Sequence, residues 1–450
     1  MYAHEARLRA GSATVDITPD HPVVMSGYGA RDGRSTGVHD RLFATTLVLD
    51  DGAATVAIAS IDVLNVSREL THRVTTALSR RGVELDAIIL AGTHTHAGPY
   101  LPARAIDVSP PLRAHEDVSR TVEAIESDLV VAIERAFERR ESARLRLGHA
   151  TEDSVQENRR AAGGVGGNVR MPQGPIDPDV TAVVVQTESG DETILYNFAC
   201  HPVCTTPGET VLSADWPAFA RRRIEAERDG ATVLFLNGAA GDINPVGLDP
   251  SRSDSAVYES MERIGSRVGD AVLRAVAGAG SDDAPVLERT PIRCTHRTVE
   301  FPVKRTPPLE RIEDRLENLE AQLEHLEERG DEVGYEKVNW DRRYAEELAA
   351  IAEWDVDALP NVIPYVEIGD LGILGMPGEV HARHGLELKE RSRADTLVLA
   401  GYANDYVGYV PTLSALENGG YEVRTMKIAP EAIVEFRRAA LELVVGDTGR

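Results

Sequence analysis

Two histidines two positions apart, His94 and His96 in Gly92-Thr93-His94-Thr95-His96-Ala97-Gly98-Pro99, are spaced for metal chemistry. In an extended segment, residues two apart share one face, so both imidazoles can point into the same space. Neutral imidazole is the commonest protein ligand for zinc-like ions. By itself the pair reads equally as two surface histidines in a loop. Recurrence of the pattern decides. His201 in Phe198-Ala199-Cys200-His201-Pro202, Glu379 after Met376-Pro377-Gly378, Asp242 and Asn244 in Gly241-Asp242-Ile243-Asn244-Pro245, and Tyr406 and Tyr409 in the Asn404-to-Tyr409 turn all follow apolar runs.

Those runs are the elements that must position the site. Ala87–Leu90, Ile194–Phe198, Thr232–Leu236, Leu371–Leu374 and Thr396–Ala400 read as buried strands, and each ends in a polar or glycine-rich turn. One such turn is ordinary loop chemistry. Five that carry His, His, Glu, Asp and Tyr predict one shared site at a sheet edge, where open α/β sheets place their ligands. Helical periodicity covers about Arg68–Arg81, Ala114–Glu138, Pro217–Arg228, Ser255–Val276 and Pro430–Val445. Alternation of strands and helices predicts an α/β fold of mixed β-sheets covered by helices, in a single domain spanning residues 1–450. Residues 308–354 differ: Leu309, Ile312, Leu316, Leu319, Leu323 and Leu326 recur at helical spacing among many charges, and Gly330 and Gly334 break the run. This predicts an inserted antiparallel helical hairpin, read as a scaffold insertion, with a lid or an oligomer contact as the alternative.

With these motifs in order, the chain resembles the catalytic domain of the neutral (non-lysosomal) ceramidase family, zinc-dependent amidases that cut the amide of N-acyl sphingoid bases. The resemblance runs from Gly11-Ser12-Ala13-Thr14-Val15-Asp16-Ile17-Thr18-Pro19 to about Tyr421. It includes the His-Thr-His turn, Phe-Ala-Cys-His-Pro, Ser213-Ala214-Asp215-Trp216-Pro217, Gly-Ala-Ala-Gly-Asp, Pro377-Gly378-Glu379 and Asn-Asp-Tyr. It implies one Zn2+ per chain held by His94, His201, Glu379 and Tyr409. It also implies His96 beside the metal against the reacting group, a second active-site tyrosine at Tyr421, and a basic residue, Arg159, near the pocket.

One departure bears on mechanism. The family has a serine implicated in catalysis where this chain has Asn244. A carboxamide can hydrogen-bond to a carbonyl or a water but cannot form an acyl intermediate. The expected nucleophile is therefore a metal-activated water, whose pKa such an ion lowers to about 7. His96 or Asp242 would move the proton and Tyr421 would stabilise the oxyanion. The expected substrate is a small-molecule or lipid-like amide. Two other readings stay open: a relative that binds metal or ligand without turnover, and a metal-dependent esterase or phosphoesterase.

Composition narrows the partners. Apolar residues make up 42% of 450, enough for a large core, and the net charge is −25. Such a surface repels nucleic-acid phosphates and anionic lipid alike. Only four lysines occur (Lys304, Lys337, Lys389 and Lys427), so arginine supplies the remaining positive charge; an acidic, lysine-poor surface suits a high-salt cytoplasm, and a GC-rich genome also favours arginine. No apolar stretch opens the chain and no run of eighteen apolar residues occurs, so a cytoplasmic protein without membrane insertion is expected, lacking the family's further β-sandwich domain. A homo-oligomer is an open expectation. Cys200 and Cys204 flank His201, but structural zinc wants four closed ligands, so both are read as buried small hydrophobes. Asp16 is read as a turn cap, Asp62 as either a cap or a histidine-orienting acceptor, and Asp215 as a histidine-orienting acceptor.

Overall fold

The computed structural model describes residues 7–29, 31, 33–103, 116–160, 174–248, 254–281 and 284–446. Ala114 and His115, at the start of the expected second helix, lie outside them. Alternation within the strands explains the architecture. In the segment Thr193–Phe198, Leu195 joins one apolar cluster while Ile194, Tyr196 and Phe198 join another; in Val233–Leu236, Leu234 and Leu236 separate from Val233 and Phe235 in the same way. Strands apolar on both faces must be covered on both faces.

Nineteen strands form among the described residues: β1 Arg9–Asp16, β2 Gly37–Val38, β3 Phe43–Asp50, β4 Thr55–Ile61, β5 Ala87–Gly92, β6 Glu141–Thr151, β7 Gln156–Asn158, β8 Asp179–Thr187, β9 Glu192–Phe198, β10 Val211–Leu212, β11 Thr232–Asn237, β12 Ile243–Pro245, β13 Val286–Leu287, β14 Ile292–Pro302, β15 Ala358–Ile368, β16 Leu371–Gly375, β17 Glu379–Val380, β18 Thr396–Ala400 and β19 Tyr409–Val410. A nine-stranded sheet runs β11-β9-β8-β6-β1-β3-β4-β5, with β13 paired to β6, and a four-stranded sheet runs β14-β15-β16-β18. Pairing is mixed: β4–β5, β9–β11 and β16–β18 are parallel, and most other pairs antiparallel. The two sheets pack face to face through Leu47, Ile58, Leu195, Leu234, Val366, Ile373 and Val398.

Ten helices are described: α1 Arg68–Arg80, α2 Glu116–Glu138, α3 Trp216–Glu227, α4 Asp254–Ala279, α5 Leu309–Glu328, α6 Glu332–Ala352, α7 Ala382–Arg391, α8 Leu413–Asn418, α9 Tyr421–Thr425 and α10 Pro430–Val445. Helices α1 and α2 cover β3–β5 through Leu70, Val74, Leu78, Ile125 and Leu129, while α3 and α4 cover β8, β9 and β11 through Trp216, Ile224, Val257 and Ile264. Helix α10 covers the smaller sheet through Ile433, Phe436 and Leu443. The α/β fold of mixed sheets under helices is as expected. Direct stacking of one sheet on the other is the addition, and it follows from the double-sided apolar strands. The hairpin is α5 and α6, joined at Arg329–Asp331, with Ile312, Leu319 and Ala345 closing its core. No helix among the described residues is long and apolar enough to cross a membrane.

Candidate metal centre and its cleft

The C-terminal ends of β5, β9, β11, β16 and β18 converge, and two asparagines stitch them together. Asn237, at the end of β11, donates to Thr93 O (3.2 Å) and Cys200 O (3.1 Å) and accepts from Cys200 N (3.2 Å), so one amide fixes the turns bearing His94 and His201. Asn404 accepts from Leu90 N and donates to Ile88 O, both at 2.7 Å, joining the turn after β18 to β5 as a strand backbone would. Four non-glycine residues among those described have positive φ: His94 (72°), Asp215 (61°), Tyr402 (55°) and Asn404 (63°). All lie on loops that frame the site, where strain of about 1–3 kcal/mol each persists only if the surroundings impose it. At Gly378 (φ 86°) a Cβ would come within 2.4 Å of Gly408 O, so only glycine lets the Glu379 segment lie against the Tyr409 segment.

His94, His96 and His201 each offer a ring nitrogen, and these lie within 4.8 Å of one another. The Nδ1 of His94 is 2.8 Å from Leu64 O, and the Nδ1 of His201 is 2.6 Å from Ala240 O and 3.0 Å from Ile243 O. A carbonyl only accepts, so each Nδ1 carries the proton and each neutral ring presents a bare Nε2 lone pair. Both lone pairs face Glu379: its Oε2 is 3.0 Å from His201 Nε2 and 3.5 Å from His94 Nε2. All three side chains are buried. Burial and the surrounding positive groups push His201 down to about 4. Burial alone would raise Glu379, but the two imidazoles hold it well below the usual carboxylate range. Two imidazole lone pairs facing one carboxylate are a donor set for a cation, and two histidines with a glutamate are a known catalytic zinc set.

The structure brings the remaining expected residues around this centre. Glu379 and Tyr409 are register partners in the parallel β17–β19 pair, which sets them side by side. Arg159, fully enclosed, donates from Nη2 to the Tyr409 hydroxyl (3.0 Å) and to Gly241 O (2.9 Å), from Nη1 to Asn244 Oδ1 (3.0 Å), and from Nε to Glu422 Oε1 (2.9 Å). His96 Nε2 is 3.4 Å from His94 Nε2, and burial with the two neighbouring imidazoles holds its pKa well below the ordinary value. The ring of Tyr421 meets that of Tyr409 edge-on at 5.6 Å. His94, His96, Glu379, Tyr406, Tyr409 and Tyr421 all line one cleft of about 690 Å³.

Several expectations are corrected. Asp242 accepts from Ala382 N (2.8 Å) and Asn158 Nδ2 (2.9 Å), anchoring helix α7 and the end of β7, and its carboxylate lies 3.7 Å from His381 Nδ1 rather than against His94, His96 or His201. Asp62 accepts from Phe43 N and Arg221, and Asp215 caps α3 and accepts from Cys204 N, so neither orients a histidine ring; backbone carbonyls do that. Asp16 caps its own turn by accepting from Thr18 N, as expected, and Cys200 and Cys204 are buried in the core.

Sequence reasoning gave no role to four residues of the site. The Tyr406 hydroxyl donates to Glu379 Oε1. The ring of Tyr402 stacks on His94 at 3.8 Å and 14°. Glu422 accepts from both Arg159 and Arg160. Trp340, on the hairpin, lies 6.0 Å from Tyr421. Tyr406 stood in a turn already singled out, but nothing in spacing ranked it against Tyr409.

The sequence profile described as neutral/alkaline non-lysosomal ceramidase, N-terminal, matches residues 8–256. The chain is 22% identical to a neutral ceramidase of Pseudomonas aeruginosa, with 98% of the chain and 72% of the relative covered, and 25% identical to a neutral ceramidase of Mycobacterium tuberculosis, with 90% and 71% covered. The crystal structure of the Pseudomonas aeruginosa neutral ceramidase superposes with a TM-score of 0.76 at 20% identity, covering 98% of this chain and 74% of that one. A structure described as ceramidase complexed with C2 gives 0.73 at 18% identity, covering 98% and 75%. With the profile spanning more than half of its length, the chain belongs to the neutral/alkaline non-lysosomal ceramidase family.

Proposed function

We propose that this chain is a metal-dependent hydrolase that cleaves the amide of an N-acylated amine, ceramide-like lipids among its substrates. The observation that carries the reading is the convergence of His94 Nε2, His201 Nε2 and Glu379 Oε2 in one buried cluster. The relatives named neutral ceramidase support the amide as the bond acted on. His94, His201, Glu379 and Tyr409 would hold one zinc-like ion, which when bound polarises a scissile carbonyl and lowers the pKa of water to about 7.

The chain's own groups supply the rest. Asn244 offers a carboxamide, held by Arg159, so the attacking group is water and no acyl group is passed to this side chain. His96 faces the cleft beside His94, where it can take a proton from the attacking water and return it to the departing amine nitrogen. Tyr421, at the same wall, can donate its hydroxyl hydrogen to the carbonyl oxygen as charge develops there. Arg159 fixes the Tyr409 hydroxyl and prevents that ring from swinging away.

The test combines metal analysis with turnover. The purified chain should carry one zinc-like ion, hydrolyse N-acyl amines and lose that hydrolysis in Glu379→Ala. Normal turnover by Glu379→Ala with metal bound would overturn the reading.

A further inference from the structure

Tyr421 opens α9, a helix of five residues that follows two glycines in left-handed conformations, Gly419 (φ 67°) and Gly420 (φ 98°). Glycine has the widest backbone freedom of any residue, so this turn on its own would not present the next side chain in one orientation. Gly420 caps α9 without a side-chain hydrogen bond. The other end of the helix is held by Arg424, which reaches Asp341 of the hairpin (2.5 Å). The Tyr421 end is held by a guanidinium from the segment after β7. Arg160 donates from Nη2 to Gly419 O (2.5 Å) and Ala415 O (3.3 Å), and from Nη1 to Glu422 Oε2. One side chain thus ties α8, the glycine turn and the first turn of α9 together. A guanidinium can do this because it presents five donors in a fixed plane, whereas an ammonium is a compact charge on a flexible stem. Arg160 is itself fixed: its backbone N–H donates to Asn158 Oδ1 (3.0 Å), and the Asn158 amide donates to Asp242 (2.9 Å).

Glu422 couples this turn to the imidazole cluster. Its other oxygen accepts from Arg159 Nε, and Arg159 holds the Tyr409 hydroxyl (3.0 Å). One buried carboxylate therefore joins the guanidinium that seats Tyr421 to the guanidinium that seats Tyr409, and the two rings meet edge-on at 5.6 Å. Beyond Tyr421 the wall of the cleft continues into Trp340 of the hairpin, 6.0 Å away.

We propose that Arg160 is the positioning residue of Tyr421: by pinning the Gly419–Gly420 turn to α8 and to Glu422, it sets the Tyr421 hydroxyl at one place relative to Tyr409. The seating is a property of the fold. The work of the seated hydroxyl, donation to the scissile carbonyl, rests on the amide-hydrolase reading. Removing Arg160 leaves Arg159 on both Tyr409 and Glu422, so the residues expected to bind metal keep their places.

Two readouts test this. With 3-fluorotyrosine incorporated at residue 421, fluorine NMR of the zinc-loaded chain should give a narrow signal. Arg160→Gln should broaden that signal and add new ones, with the circular-dichroism spectrum retained. Arg160→Lys, which keeps a charge beside Glu422 but loses the planar fork, should do the same. A wild-type signal in either folded variant overturns the proposal. Turnover of an N-acyl amine is the second readout. Arg160→Gln should lower kcat about tenfold or more at unchanged KM, because a donor misplaced by about an ångström is missed chiefly as charge develops. In a Tyr421→Phe background the same substitution should change kcat less than about twofold, since the hydroxyl it seats is already gone. An equal loss in both backgrounds means a general scaffold role and overturns the proposal. If the wild-type chain hydrolyses no amide, the amidase reading falls, and the fluorine spectra alone decide the seating of Tyr421. A disturbed fluorine signal with unchanged kcat keeps the seating and removes the Tyr421 hydroxyl from the reaction.

Discussion

Tyr406 donates its hydroxyl to Oε1 of Glu379 while the other carboxylate oxygen, Oε2, faces His201 Nε2 at 3.0 Å. The carboxylate is therefore aimed from behind by a phenol three positions before the tyrosine expected to bind metal. Groups that hold a ligand in place affect metal affinity roughly 10–100-fold. Tyr406→Phe keeps the ring and removes only the donor. It should weaken metal binding by that amount in competition with a chromophoric chelator, with the folded circular-dichroism spectrum retained. Unchanged affinity would detach Tyr406 from the centre.

Removing the ion should itself be visible. A ligand bound only by the folded chain stabilises it by about 4 kcal/mol at a thousandfold excess over its Kd. Treatment with a strong chelator should therefore lower the melting temperature, and zinc should restore it. His94→Ala and His201→Ala should melt near the chelated wild type and show no response to zinc. A full zinc response in either variant would show that the ion binds elsewhere.

How much of this was legible beforehand differs by level. Strand positions were readable because runs such as Ala87–Leu90 are apolar without interruption, and helix starts such as Arg68 and Pro430 follow from the Ser67 cap and from proline at a first helical position. The sheet-on-sheet packing was not, since periodicity shows that Leu195 and Tyr196 are both buried but not what covers each. Within the site, the convergence of His94, His201 and Glu379 was anticipated from their shared place after strands. The orienting groups were missed because they are the backbone carbonyls of Leu64 and Ala240, which every sequence contains. The hairpin's place on the cleft was invisible because its polar ties, Lys427 to Glu347 and Arg424 to Asp341, span about eighty residues of chain.

Arg159 offers a sharper stability test. It is enclosed and engages Glu422, Asn244, Gly241 O and Tyr409. Replacing it with methionine leaves Glu422 to Arg160 alone and strands the Asn244 carbonyl. Breaking a buried pair from one side costs about 3–5 kcal/mol. Arg159→Met should lose stability of that order in denaturant titration and lose hydrolysis with it. Arg159→Met/Glu422→Gln, which also removes the buried carboxylate left with one guanidinium instead of two, should recover part of the stability but not the activity. A single variant as stable as wild type would contradict the network.

Lys304 predicts a pH dependence of stability. Burial, reinforced by Lys427, pushes its ammonium down to about 8 from an ordinary 10.5, and its Nζ donates to Val423 O and Arg424 O at the foot of the hairpin. Between these values the unfolded chain binds the extra proton, so this group's contribution to stability rises with pH from about 8 to about 10.5. Its penalty is fully present below 8. The melting temperature of wild type relative to Lys304→Met should thus increase as pH is raised from neutrality to 10. A flat difference would mean that Lys304 titrates normally.

Under the proposed hydrolysis, Asn244 bears on the first step. Its Oδ1 accepts from Arg159, and its carboxamide has no nucleophilic oxygen lone pair backed by a base. With water attacking, acid and amine are released together, so single-turnover traces should show no burst of amine ahead of the acid. Hydroxylamine added during turnover should yield no hydroxamate, because no acyl group waits on the chain for a second nucleophile. Asn244→Ala should still hydrolyse amides, though more weakly, since the Arg159 Nη1 donor loses a partner at a cost of about 1–3 kcal/mol. Asn244→Ser places a hydroxyl beside the same guanidinium and is the one variant in which a hydroxamate could accumulate. Hydroxamate formed by the wild type at the rate of hydrolysis would place a covalent nucleophile in the cleft and remove water from that role.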